Sequence, residues 1–360
     1  MKMTERERKL IEALANAKAP SGFEDETVAI MREALRDLCD FEEDGLRNLF
    51  ICRRRNTGDK PVLMLDAHSD EVGFMVHSIR PNGTLRLVGL GGWNKATLPG
   101  MRVLVRNRFG DWIPGCIAAK PPHFMSAAEK ERGGVAEIRD LSLDVGATSA
   151  EQAENAFGIR IGEPVVPVPH FSSDEKNGLL FGKAFDCRIG CAAMAEVMRQ
   201  IADEDLNVDV VASLSSQEEV GERGAKAAVN RIRPDIAIVF EGCPADDTFT
   251  EPYAVQTALK RGPMLRFMDV SVIINPRYQR FALDLAEREG IAAQASVREG
   301  GGNDAAVIQA LNGAPAIVLG VPVRYIHTPT CIASAFDYEE TVRLALAIIR
   351  ALDASLIRSF

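Results

Sequence analysis

A chain of 360 residues exceeds the ~250 to 300 at which a single core stops growing, so two domains are expected. A net charge of −9 argues against nucleic acid or an anionic membrane as the main partner, because both require a basic face. No run approaches the ~20 apolar residues of a membrane span and the opening residues have no apolar signal core, so a cytoplasmic protein is expected.

Residues 4–17 carry Leu10, Ile11 and Leu14 among charges at a helical period, Pro20-Ser21-Gly22 breaks that helix, and Glu24 to Leu38 reads as a second. Phe50 to Arg53 and Pro61 to Leu65 read as strands, the latter running into Asp66-Ala67-His68-Ser69-Asp70. From Val72 to Val166 the texture changes to short β-rich runs (Phe74 to Ile79, Thr84 to Val88, Arg102 to Val105, Trp112 to Ala118) separated by Gly-bearing turns, the pattern of a small barrel or sandwich. Strand and helix then alternate: helix Gly190 to Ala202, strand Val208 to Leu214, helix Gly224 to Asn230, strand Ile236 to Phe240, helix Pro276 to Glu289, strand Ala316 to Leu319, helix Tyr338 to Leu352. That rhythm predicts an α/β sheet covered by helices on both faces, and the segment before the insertion has the same texture. The expected organisation is one discontinuous α/β domain, residues 1–71 and 167–360, interrupted by a β-rich insertion at 72–166.

Seven scattered cysteines, an odd number, fit reduced thiols better than a disulfide framework. Cys187 and Cys191 form a C-x3-C, with no second pair at the spacing of a structural zinc site.

The chemistry is sought at strand ends, where open α/β sheets place their sites. Glu218 and Glu219 follow the strand Val208 to Leu214, and neighbouring side chains there point in different directions. One can bind a cation while the other faces the water that the cation holds. Alone, such a pair reads as a solvated first turn favoured by the helix dipole, so other residues must decide. His68 and Asp70 close an earlier strand, with the imidazole as ligand and the carboxylate to orient it. Asp186 sits where a short strand meets a helix, Glu241 follows Val239-Phe240, and His327 lies beyond the last expected strand. Two imidazoles and three carboxylates suit a pair of divalent ions of the zinc type, with an Asp between His68 and the Glu pair as the natural bridge. The Gly-rich stretches at 89–92 and 300–304 lack both phosphate-loop patterns.

The segments LDAHSDEVGFMV, KPPHFMSAAEK, LSLDVGATSAEQA, GKAFDCRIG, SSQEEVGERGA, GGNDA and RYIHTP, spread over residues 65–329, together resemble the M42 metallopeptidases. These are cytosolic aminopeptidases that build tetrahedral, self-compartmentalised particles. The resemblance implies a zinc-peptidase-like α/β core with an inserted PDZ-like β domain. It implies two divalent ions, Zn or Co, with Asp186 bridging and His68, Glu219, Glu241 and His327 as further ligands. It implies Glu218 as general base, Asp70 as the residue that orients His68, short peptides as substrates, and homo-oligomers from dimer to dodecamer. Two positions depart from the family pattern, which commonly has Asp at Glu241 and at Cys187. The rival readings are an N-acyl amino-acid deacylase or amidase on the same metal core, and a non-catalytic metal-binding assembly protein, which would have no need of the base Glu218. Trp93, Leu98, Phe109 and Trp112 read either as members of a subunit contact or as the core of the small domain.

Overall fold

The computed structural model describes residues 3–127 and 137–360. The last three residues of the KPPHFMSAAEK segment, 128–130, lie outside the described residues. The described residues fall into two compact units, one made of the chain up to Asp70 with His170–Ile326 and Thr330–Phe360, the other of Glu71–Pro169 with His327–Pro329.

The first unit is built on a mixed sheet of eleven strands. At its centre Asp209–Ser215, Val62–His68, Ile236–Pro244 and Ala316–Arg324 lie side by side, all parallel. Ile236–Pro244 and Ala316–Arg324 are buried at every residue but the last, which requires cover on both faces. Helix Phe185–Gln200 packs on Ile236–Pro244 and Val62–His68, with Glu5–Asn16, Asp25–Leu35 and Ala335–Ala351 against it; Arg223–Ile232 and Ala305–Asn312 pack together on the sheet as a second group. The first helix opens with a reciprocal cap, in which Thr4 Oγ1 accepts from the Glu7 N–H at 3.3 Å and Glu7 Oε2 accepts from the Thr4 N–H at 2.7 Å. Its other end is held by the buried guanidinium of Arg188, which donates to the carbonyls of Leu14 and Ala19, each at 2.9 Å. The Leu14 carbonyl, in the last turn of the helix, also accepts the Ala17 N–H at 3.2 Å.

Parallel pairing fixes the levels of the site residues. His68 pairs with Ser215, and Val239 pairs with Asp66, so His68, Ser215 and Glu241 stand at about the same height near the carboxyl end of the sheet.

The second unit is a closed antiparallel barrel of six strands, Gly73–Ile79, Leu85–Leu90, Leu143–Asp144, Trp112–Ile117, Arg102–Arg106 and Pro164–Pro167 in order around the wall. Val103 and Val105 turn inward with no exposure, as period-two alternation requires. Trp93 stacks on Phe74 at 4.9 Å between ring centres and donates its indole N–H to the Gly73 carbonyl at 2.9 Å. With exposures of 8% and 0%, Trp93 and Leu98 belong to the barrel core and not to a contact surface; Phe109 is 67% exposed.

Several expected boundaries shift. The helix expected at Gly190 begins at Phe185, its first turn interrupted by non-helical dihedrals at Asp186 and Cys187. The strand from Ile236 runs on to Pro244, which puts Glu241 inside it and not after it. A further strand, Cys331–Ser334, pairs back on Ala316–Arg324, so His327 lies in the connection between two strands and not beyond the last.

Candidate metal centre

The sheet unit brings six of the seven expected residues, His68, Asp70, Asp186, Glu218, Glu219 and Glu241, into one cluster. His68 is the hub. Its Nε2 lies 3.0 Å from Asp186 Oδ1, 3.7 Å from Glu241 Oε2 and 3.9 Å from Glu218 Oε2. Ligand atoms of His68, Glu218 and Glu219 all fall within 4.8 Å of one another. The seventh residue, His327, is part of the barrel unit, where it adopts φ of 56° and its carbonyl accepts from the Asn94 N–H at 3.0 Å.

Asp70 does more than orient an imidazole. One of its oxygens stands 3.4 Å from His68 Nδ1 and accepts the Glu218 N–H at 3.0 Å. The other accepts the Ser21 hydroxyl at 2.6 Å and the Glu219 N–H at 3.2 Å. A single buried carboxylate thus fixes the ring and the backbone from which both glutamates spring. Burial works against its charge, but the His68 ring, the Ser21 hydroxyl and the Glu218 N–H outweigh that and hold its carboxyl below the ordinary range.

The charge pattern is lopsided. Burial disfavours a charged His68, yet Glu218, Asp186, Asp70 and Glu241 reverse the effect and push its pKa well above the ordinary value. Burial pushes Glu218 and Glu241 up strongly; His68 opposes this in both, while Asp304 and further neighbouring carboxylates reinforce it. Carboxylates crowded out of water around one imidazole make a donor set that divalent cations relieve, and imidazole with carboxylate oxygens is the ligand chemistry of such ions. The residues therefore fit a metal centre.

Beneath the cluster lies a layer that motif reading passes over. The Ser215 hydroxyl stands 2.8 Å from Asp304 and 3.2 Å from Asp66, both carboxyls at most 1% exposed. Burial and mutual proximity push Asp66 well above the ordinary range, and burial raises Asp304. A signal existed for Asp66, an acid within the apolar run Leu63 to Ala67 of a strand buried on both faces. For Ser21 and Glu24 there was none, because the partners that tie them to the site, Asp70 and Gln217, are distant in sequence. Glu24 Oε1 accepts the N–H groups of Gly22 and Gln217 at 2.7 and 3.2 Å, and burial followed by the charge of Asp70 raises its pKa to about 7. In the Gly300–Asp304 loop the glycines are exposed while Asn303 and Asp304 turn inward, Asn303 donating to Asp269 at 2.7 Å.

Residues 48–344 match the family model described as M42 glutamyl aminopeptidase. The chain is a member of the M42 aminopeptidase family. It is 33% identical to the glutamyl aminopeptidase of Lactococcus lactis subsp. cremoris, over 95% of this chain and 96% of that one, and 31% identical to the lysyl aminopeptidase of Pyrococcus furiosus, over the same shares. Among solved structures it is similar to the TET aminopeptidase of the marine sediment archaeon Thaumarchaeota archaeon SCGC AB-539-E09, with a TM-score of 0.93 and 36% identity over 99% of both chains. It is also similar to the TET1 peptidase of Pyrococcus horikoshii, with a TM-score of 0.86 and 28% identity over 96% of this chain and 100% of that one, which can assemble into a tetrahedron or a large octahedral shell. The M42 protein is thus a hydrolase acting on peptides, an aminopeptidase of a metallo-enzyme family whose TET members form large homo-oligomers. No helix of the described residues is long and apolar enough to cross a membrane.

Proposed function

We propose that this M42 protein is a two-metal aminopeptidase that removes N-terminal residues from short peptides. The observation that carries the reading is the convergence of His68, Asp186, Glu218, Glu219 and Glu241 on one cluster in which the charges of the acids are uncompensated by the lone imidazole. Asp186, 3.0 Å from His68, would be shared between the ions, His68 and Glu241 would hold one of them, and Glu219 with His327 would hold the other. Zn2+ or Co2+ suits this nitrogen and oxygen set. When bound, the ions polarise the scissile carbonyl and lower the pKa of the attacking water.

The remaining work falls to the protein. Glu218 takes the water's proton and passes it to the leaving amine. Asp70 keeps that base in register by holding the Glu218 N–H while it faces the ring of His68. The barrel is read as the PDZ-like insertion of the family. The chain is read as a cytoplasmic homo-oligomer.

Dialysis against a chelator should abolish activity, and Zn2+ or Co2+ should restore it with about two ions bound per chain. Full activity with a single bound ion refutes the two-metal reading. A panel of aminoacyl-anilides including glutamyl and lysyl members, run beside N-acetylated amino acids, should show release from the anilides; release from the acetylated set alone would make the protein a deacylase. Light scattering should give a mass many times the 39.2 kDa of the chain, and a mass near that value at micromolar concentration would refute assembly.

A further inference from the structure

The assignments above give Cys187 no task. Yet its Sγ, a ring nitrogen of His68 and a carboxylate oxygen of Glu241 all lie within 4.8 Å of one another, and all three residues are buried. With Zn–S near about 2.3 Å and Zn–N near about 2.0 Å, donors around one tetrahedral ion stand roughly 3.5 Å apart. An adjustment of about one ångström, within reach of a small side-chain rotation, would close the difference.

The local chain explains why the sulfur stands there. Cys187 has φ of −109° and ψ of 26°, outside helical values, in the interrupted first turn of the helix. It meets the strand bearing Glu241, where the thiol donates to the Phe240 carbonyl at 3.0 Å. Gly190 makes the seat: a β-carbon at that position would stand 2.5 Å from the sulfur. Of the two neighbouring thiols, Cys191 bonds with the Cys187 side chain and donates to the His68 carbonyl at 3.1 Å, and Cys243 lies 3.5 Å from the Arg266 guanidinium.

We propose that Cys187 is a sulfur ligand of the ion held by His68 and Glu241, so that this half of the centre selects thiophilic ions over Mg2+ or Mn2+. The proposal rests on the metal-centre reading above. On ligation the S–H bond breaks, the sulfur keeps the electron pair as a thiolate, the proton passes to solvent, and the hydrogen bond to Phe240 is given up.

Electronic absorption of the full chain loaded with cobalt(II) tests this without reference to activity. A thiolate-to-cobalt charge-transfer band in the near ultraviolet is expected, absent from Cys187→Ser and Cys187→Asp and retained in Cys191→Ser and Cys243→Ser. Competition between Cd2+ and Mn2+ should favour Cd2+ by at least ~10-fold more in the parent than in Cys187→Asp. Cobalt bound at full occupancy without the band, or a band that survives Cys187→Ser, overturns the sulfur ligand and leaves the metal-centre reading standing. Failure to take up cobalt at all refutes both. Should Cys187→Ser not fold, the parent spectrum together with the Cys191→Ser and Cys243→Ser spectra decides.

Discussion

The sheet unit and the barrel unit bury their strands in different ways. Ile236–Pro244 is covered on both faces, so Glu241 has no solvent side to turn to. In the barrel, Arg102–Arg106 alternates, with Val103 and Val105 inside and Arg102 turned out, so its charged residues meet water without compensation. An acid in a doubly covered strand must find a proton, a cation or a donor to offset its desolvation, whereas an acid on the barrel needs none of these. In a doubly covered strand such as Ile236–Pro244 an ionisable residue thus signals chemistry, and on an alternating strand such as Arg102–Arg106 it signals a solvated face.

The sharpest way to break this contrast is to make one substitution in each unit. Glu218→Gln should lower turnover by at least ~100-fold with metal content unchanged. Glu137→Gln, which removes a surface ion pair with Lys95 at 2.7 Å, should leave turnover as in the parent. Equal loss in both, or none in either, would remove the distinction and with it the base.

Stability should separate the units next. Leu98→Ala opens a cavity at a fully buried barrel position and should cost about 2 to 5 kcal/mol. Both tryptophans of the chain, Trp93 and Trp112, lie in the barrel unit, so their fluorescence reports its unfolding, while the α-helices of the described residues lie in the sheet unit and dominate the far-ultraviolet ellipticity. The fluorescence transition should move further than the ellipticity; equal movement would mean that the units unfold as one.

A smaller effect is expected from pH. Glu24 is fully buried and its pKa is raised to about 7 from a reference of 4.5, so the folded state holds a proton that the unfolded state has lost across that window. Its contribution is therefore most favourable below the unfolded pKa and declines as pH rises toward 7. Since Oε1 accepts both N–H bonds, an amide nitrogen can take the place of Oε2, and Glu24→Gln should stabilise by on the order of 2 kcal/mol at pH 8 and by little at pH 5. Thermal unfolding at the two pH values checks the sign. The smallest change belongs to the exposed ring of Phe109: Phe109→Ser should alter barrel stability by less than ~0.5 kcal/mol, and a larger loss by fluorescence would show that the ring packs.

These contrasts also explain which parts of the molecule were legible in its residues. The alternating barrel strands and the amphipathic helices carry their own period, so Arg102–Arg106 and Pro276–Arg288 fell close to their expected places. Strand ends were harder: nothing in Ile236 to Phe240 says that an apolar run continues through Glu241 to Pro244, because pairing with Ala316–Arg324 carries it on. Short strands with mixed burial, such as Gln294–Val297, and the brief helix Ala305–Asn312 passed unnoticed. At the site the ionisable residues could be listed from their strand-end positions, but the ties that aim them could not. Ser21 reaches Asp70 across 49 residues and Glu218 reaches it across 148, distances over which no local pattern operates.

That wide spacing governs when the centre can exist during synthesis. The three strands that bear its parts are adjacent in space as Asp209–Ser215, Val62–His68 and Ile236–Pro244, but the first of them to leave the ribosome is the middle one. His68 and Asp70 therefore wait for Asp186 and the glutamates through the emergence of the whole insertion, and the last acid of the sheet cluster arrives with Glu241. A nascent chain shorter than this holds an imidazole and scattered carboxylates with no common focus, so it can neither capture ions in the final geometry nor cut its neighbours. Assembly of the cluster is thus deferred by topology until the third of these strands is made.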